Sequence, residues 1–103
     1  MIPKVENMTS PRSGAPVANQ FVIKYSGGGA LGNFKAVHVF QSYDSIIAEV
    51  TYWEDRTDVV LDTAYWNYST TTSKYRNLFL GDTTAETKAK IKSGEYKVAD
   101  LNK

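Results

Sequence analysis

The chain has 103 residues, 42% apolar and 22% charged, with a net charge of +1 and no cysteine. That length holds one hydrophobic core, and the balance excludes a disordered polar chain. The missing cysteines exclude disulfides and thiolate metal sites, and near-neutrality argues against bulk attraction to DNA.

Residues 1–16 hold all three prolines, Pro3, Pro11 and Pro16, with Ser10, Ser13 and Gly14 between them. Proline removes backbone donors and biases its neighbours toward extended form, so this segment reads as a flexible N-terminal arm, with a single domain over residues 17–103. Phe21, Ile23 and Tyr25 alternate on one face of a first strand, residues 17–25. A glycine-rich turn follows, from Ser26 to Asn33. Its Gly27-x-Gly29-x-x-Gly32 spacing has the letters of a dinucleotide fingerprint, but a strand rather than a helix comes next, so a hairpin loop is the better reading.

Lys35 to Gln41 reads as a second strand carrying His38, the chain's single histidine. After a bend at Ser42, Tyr43 and Asp44, the β-branched and aromatic run from Ser45 to Trp53 is a third strand. Glu54, Asp55 and Arg56 turn the chain into a fourth, Thr57 to Asp62. The short connections call for an antiparallel meander. The pattern then becomes helical. Thr71 and Thr72 are candidate N-caps, Tyr75, Leu78 and Phe79 sit at i, i+3 and i+4, and Gly81 ends the first helix. Thr83 with Glu86 is a capping-box pattern and Gly94 a stop for the second. A short strand through Tyr96 and Val98 is a possible addition. The expected fold is α+β: an antiparallel β-meander of about four strands followed by two short helices.

Three features bear on function. The stretch Tyr65–Arg76 sets the rings of Tyr65, Trp66 and Tyr68 before a helix start. Ser69, Thr71 and Thr72 supply hydroxyls there, and Lys74 and Arg76 supply charge. A helix N-terminus attracts anions and aromatic rings stack on bases, so this is one arrangement for a nucleotide or single-strand site. The same residues equally describe hydroxyl caps over rings packed beneath the helix. The second feature is the acidic window Asp44, Glu49, Glu54, Asp55, Asp58 and Asp62, against Arg56 alone. It fits a nucleic-acid mimic that enters a basic groove, or the solvated face of strands and a turn. The third is His38, which acts as a general base only with a partner that no spacing supplies; a binding protein without cofactor is expected rather than an enzyme. No stretch approaches the roughly 20 apolar residues that span a bilayer. Nor do the first seven residues form an apolar signal core, so the expected location is the cytoplasm, with no membrane partner.

Pro11 to Phe21, Phe40 to Ala48, and above all Tyr65 to Leu80 with its Tyr-Ser-x-Thr-Thr-x-Lys-Tyr pattern resemble a family of uncharacterised small proteins from phages, prophages and other mobile elements of bacteria. The Gly27–Gly32 loop and the segment before Met8 depart from it. The resemblance carries no activity. It implies a setting, in which a small protein binds a host machine such as a CRISPR effector or another defence protein and inhibits it, of anti-CRISPR type. Under that reading the protein works by protein–protein contact or by nucleic-acid mimicry in the cytoplasm of the bacterial host. The alternative is a nucleic-acid binder, or a protein that sequesters a nucleotide, using the Tyr65–Arg76 surface.

Overall fold

The computed structural model describes residues 3–26 and 34–102. The fold is α+β. Five strands, β1 (Lys4–Thr9), β2 (Pro16–Ser26), β3 (Phe34–Ser42), β4 (Ser45–Trp53) and β5 (Thr57–Asp62), form an antiparallel meander. Two helices follow, α1 (Thr70–Leu80) and α2 (Thr84–Ser93), and then β6 (Tyr96–Ala99), which lies parallel to β5. The strands stand in one sheet in chain order. The glycine fingerprint from Gly27 to Gly32 lies outside the described residues.

Two differences from the sequence reading concern the ends. The segment expected to be an arm contains β1, with Val5 opposite Ile23 and Asn7 opposite Phe21. Its prolines sit at and beyond the strand ends, where no ladder hydrogen bond is lost. The second difference is β6, which enters as a full sheet member. Residues 63–95, with both helices, form the crossover that a parallel pair requires.

Helix ends follow local chemistry. Ser69, in extended conformation, caps α1 by accepting from the Thr72 amide, and Gly81 in the left-handed region (φ 75°) closes it. The caps expected at Thr71 and Thr72 therefore shift to Ser69. Thr83 and Glu86 form the full capping box at the start of α2, and Gly94 (φ 87°) ends it.

Inside, Phe40, Ile47, Ala48, Val50, Val59 and Leu61 from the sheet meet Tyr75 of α1 and Tyr96 of β6. Phe40 stacks on Phe79 of α1, with ring centroids 5.7 Å apart. The inward stripe of α1 is Thr72, Tyr75, Arg76 and Phe79, spaced i, i+3, i+4 and i+7. Leu78, expected on that stripe, is 47% exposed.

Asp62 is fully buried at the end of β5. Its Oδ2 accepts from the amides of Ala64 and Tyr65, and its Oδ1 from Leu101. Burial opposes the charge, but the hydrogen bonds from Leu101, Asn102, Tyr65 and Ala64 outweigh it and hold the carboxyl below its ordinary value. This carboxylate fixes the turn that leads into α1.

Candidate functional site

Arg76 decides the geometry of the Tyr65–Arg76 stretch. Expected to lend charge to a surface, it has 0% exposure. Its Nη1 donates to the Trp66 carbonyl and to Asn67 Oδ1, and its Nη2 to Asn77 Oδ1 at 2.8 Å and Thr84 Oγ1 at 2.9 Å. The guanidinium also lies 5.2 Å from the centre of the Trp66 ring. Nε is buried with no hydrogen-bond partner, and among the described residues no carboxylate pairs with this charge. Burial pushes the guanidinium below its ordinary value, yet arginine remains cationic. A desolvated cation is thus balanced by neutral dipoles and a π face alone.

The neighbouring residues divide between core and surface. Thr72, expected to line a site with its hydroxyl, is fully buried and shares a 2.8 Å hydrogen bond with Ser42 of β3. Trp66 is partly buried against the core. Its ring is committed to packing and to Arg76 rather than to stacking on a base. Tyr65 and Tyr68 do face solvent and meet edge to face, 5.4 Å apart, with Tyr68 48% exposed. Thr71 and Lys74 are exposed, and the Lys74 ammonium lies 5.4 Å from the Tyr75 ring.

An open groove of about 710 Å³ runs beside this helix start. Tyr68, Ser69, Thr70 and Lys74 line one part of it, and Asn67, Ser73, Asn77 and Thr84 another, with Pro11 and Leu78 at its margin. Asn67, Asn77 and Thr84 are the side chains that hold the Arg76 guanidinium, so the buried cation lies directly behind the groove wall. Lys74 is the charged residue of the lining, and no carboxylate lines it among the described residues. The first turn of α1 has no acidic residue either. Ser69 satisfies the Thr72 amide, while the Thr70 and Thr71 amides have no acceptor within the helix. Asn67, Ser73, Asn77 and Thr84 were not singled out in the sequence. Asn67 and Ser73 stand inside the aromatic-and-threonine stretch, and their mutual 2.9 Å hydrogen bond is a contact across six residues that no local pattern announces.

The acidic window does not form one face. Asp44 lies in the turn before β4, Glu54 and Asp55 lie in the turn beyond its other end, and Asp58 stands in β5 opposite Thr51. Nine residues of β4 separate the two turns, about 30 Å along an extended strand. Glu49 is midway and half-buried, and Asp62 is internal. Arg56 lies 3.3 Å from Asp55 and 3.4 Å from Asp58, and the Trp53 indole also donates to Asp58. What remains at that tip is a small, partly neutralised cluster.

His38 sits edge to face with Tyr52, ring centroids 5.0 Å apart. Burial lowers its pKa and Lys24 lowers it further, against an opposing pull from Glu6. A neutral imidazole on an aromatic ring is what this environment favours.

A second buried polar cluster ties α2 to the sheet. Asp82 accepts from the Tyr96 hydroxyl in a short bond, and from Lys90 Nζ at 2.9 Å. Burial opposes the Asp82 charge, but the bonds from Tyr96 and Lys90 hold its carboxyl below the ordinary range. Burial, followed by the bond to Asp82, pushes the Tyr96 hydroxyl up to about 12.

The fold and the groove define a small α+β domain with a polar depression that no carboxylate lines among the described residues, backed by a buried cation. The chain belongs to a family of unknown function, DUF8033, which matches residues 4–96 and so includes β1, both helices and the groove. Neither the curated proteins nor the solved structures contain a match.

Proposed function

We propose that this is a non-catalytic binding protein that holds a phosphate-bearing ligand, a nucleotide or a single-stranded nucleic acid, in the groove at the start of α1. One observation carries this reading: among the described residues the buried Arg76 charge has no carboxylate partner, and it lies behind a groove that none of their carboxylates lines. In a low-dielectric surrounding such a charge is weakly screened and favours an anion at the surface nearest to it. The Thr70 and Thr71 amides and Lys74 add to the same sign of potential. Tyr68 offers a π face for a base.

Fluorescence titration at low salt with short oligonucleotides, mononucleotides and cyclic dinucleotides tests the reading. Binding should weaken several-fold in Lys74→Ala and in Tyr68→Ala, and for an oligonucleotide the salt slope should fall by about one on loss of Lys74. Absence of binding to every one of these probes at low salt would overturn it.

Exposed Tyr65, Tyr68 and Leu78 favour a second reading, since aromatic and apolar groups are what protein interfaces use. Here the groove face docks on a host protein, and the protein inhibits a bacterial defence system such as a CRISPR effector, in the cytoplasm of the host. The resemblance to mobile-element proteins supports that setting. Nucleic-acid mimicry would instead rest on Glu54, Asp55 and Asp58. Inhibition lost on reversing those three charges supports mimicry; inhibition lost in Tyr68→Ala or Leu78→Lys supports contact through the groove face.

A further inference from the structure

The first edge of the sheet is open. β1 pairs with β2 on one side, and among the described residues no strand pairs with its other side. Proteins usually blunt such an edge with an inward-pointing charge, a bulge or a proline in mid-strand; β1 is irregular only between Asn7 and Thr9, and from Lys4 to Asn7 its pairing with β2 is continuous. Here Val5 stands in the paired stretch, 61% exposed. It heads a cross-strand row, Val5–Ile23–Val39, on one sheet face. Lys4 and Glu6 flank it on the opposite face, where Glu6 meets Lys4 at 3.2 Å and Lys24 at 2.9 Å.

We infer that this edge pairs antiparallel with the same edge of a second copy of the chain, about a two-fold axis at Val5. The charges select that register. With Val5 opposite Val5, Lys4 of each copy faces Glu6 of the other, so two opposite-charge pairs form. Moving the axis by one residue sets Lys4 against Lys4, or Glu6 against Glu6, and like charges directly opposed are unfavourable. The pairing joins the two apolar rows into one and buries the exposed valine against its twin. Pro3 has no backbone donor and limits the paired stretch. The contact is therefore short, and the dimer belongs to the weak, concentration-dependent class. The family match begins at residue 4, so the strand lies within it.

Sedimentation velocity on the full chain, over a wide concentration range, tests the proposal. The wild type should move from monomer to dimer as concentration rises. Lys4→Glu and Glu6→Lys should each weaken association by about tenfold, because both cross-strand pairs become like-charged. The double variant should restore dimerisation, and so should a one-to-one mixture of the two single variants, which form complementary strands. Val5→Lys, a change at an exposed position, should abolish the dimer while circular dichroism stays unchanged. A wild type that remains monomeric throughout would overturn the proposal. So would a dimer indifferent to the single swaps, or one that the double swap does not restore.

Discussion

Arg76→Ala removes the hub that joins the approach to α1, the helix itself and the start of α2. In the wild type the guanidinium satisfies the Trp66 carbonyl, Asn67, Asn77 and Thr84 and fills a fully buried volume. Truncation leaves these acceptors unpaired; Asn67, Asn77 and Thr84 line the open groove and regain water, whereas a group that water cannot reach costs about 1–3 kcal/mol. It also opens a cavity, and large-to-alanine changes in cores cost about 2–5 kcal/mol. Part of the first cost returns because no desolvated charge remains, so the expected loss is about 4 kcal/mol. With a urea m-value of about 1.5 kcal/mol/M, the unfolding midpoint should fall by about 2–3 M. Trp66 packs on the guanidinium, so its fluorescence should follow the transition, with circular dichroism as the second probe. Arg76→Lys keeps the charge but loses the planar fork, and should lose about half as much. A loss below about 1 kcal/mol for Arg76→Ala would refute the account of Arg76 as a buried hub.

Three further outcomes follow from local geometry. Ser69→Ala should destabilise the protein by about 1 kcal/mol in chemical denaturation, since the Thr72 amide loses its cap, whereas Thr71→Ala should be near neutral. In a double-mutant cycle of Ser42→Ala and Thr72→Val, each single change should cost more than its share of the double, because each leaves one buried hydroxyl unpaired; simple additivity in urea midpoints would contradict the 2.8 Å bond. Asp82→Asn should lower stability at neutral pH by about 1–3 kcal/mol and reduce its pH dependence at both extremes. The Asp82 carboxyl is held below its ordinary value, so its contribution is complete above about pH 5 and is lost as pH falls through the depressed folded value. Tyr96 is pushed up to about 12, so its contribution is complete below the ordinary tyrosine value of about 10 and is lost as pH rises toward that shifted value. Thermal melts across pH in wild type and variant read both arms.

The features legible in the sequence are those whose causes are local. The Thr83–Glu86 box and the glycines at 81 and 94 act within a turn of themselves, and the ends of both helices follow from them. The strands from β2 to β5 carry enough alternation to be read. β1 does not, because a strand with one neighbour and little burial need not alternate in hydrophobicity. The start of α1 offered several hydroxyls in a row. The choice of Ser69 over Thr71 and Thr72 is settled by the tertiary bond that draws Thr72 inward to Ser42. The same rotation buries Arg76 and exposes Leu78, against the usual preference of both side chains. Of the candidate site, the aromatic-and-threonine stretch was legible as a place. Which of its members face the groove was not, since that depends on Asn77 and Thr84 gathering around Arg76. The acidic window looked continuous because residues adjacent along a chain part company when a strand runs between them.

The parallel pairing of β6 with β5 bears on how the chain acquires its shape. Strands β1 to β5 join neighbours through hairpins, which close small loops. β6 must wait for the whole of residues 63–95 to be brought back, a closure that costs more chain entropy than any hairpin in the meander. During synthesis, Asp62 leaves the ribosome well before Leu101, and until then the carboxylate lacks the last of its backbone donors. The sheet is therefore complete only once residues 96–101 have arrived, and a chain stalled before β6 would display the meander with β5 as its second edge. Ribosome-bound chains cut back to residue 95 should resist proteolysis in the β2–β5 region and remain cleavable through the helices.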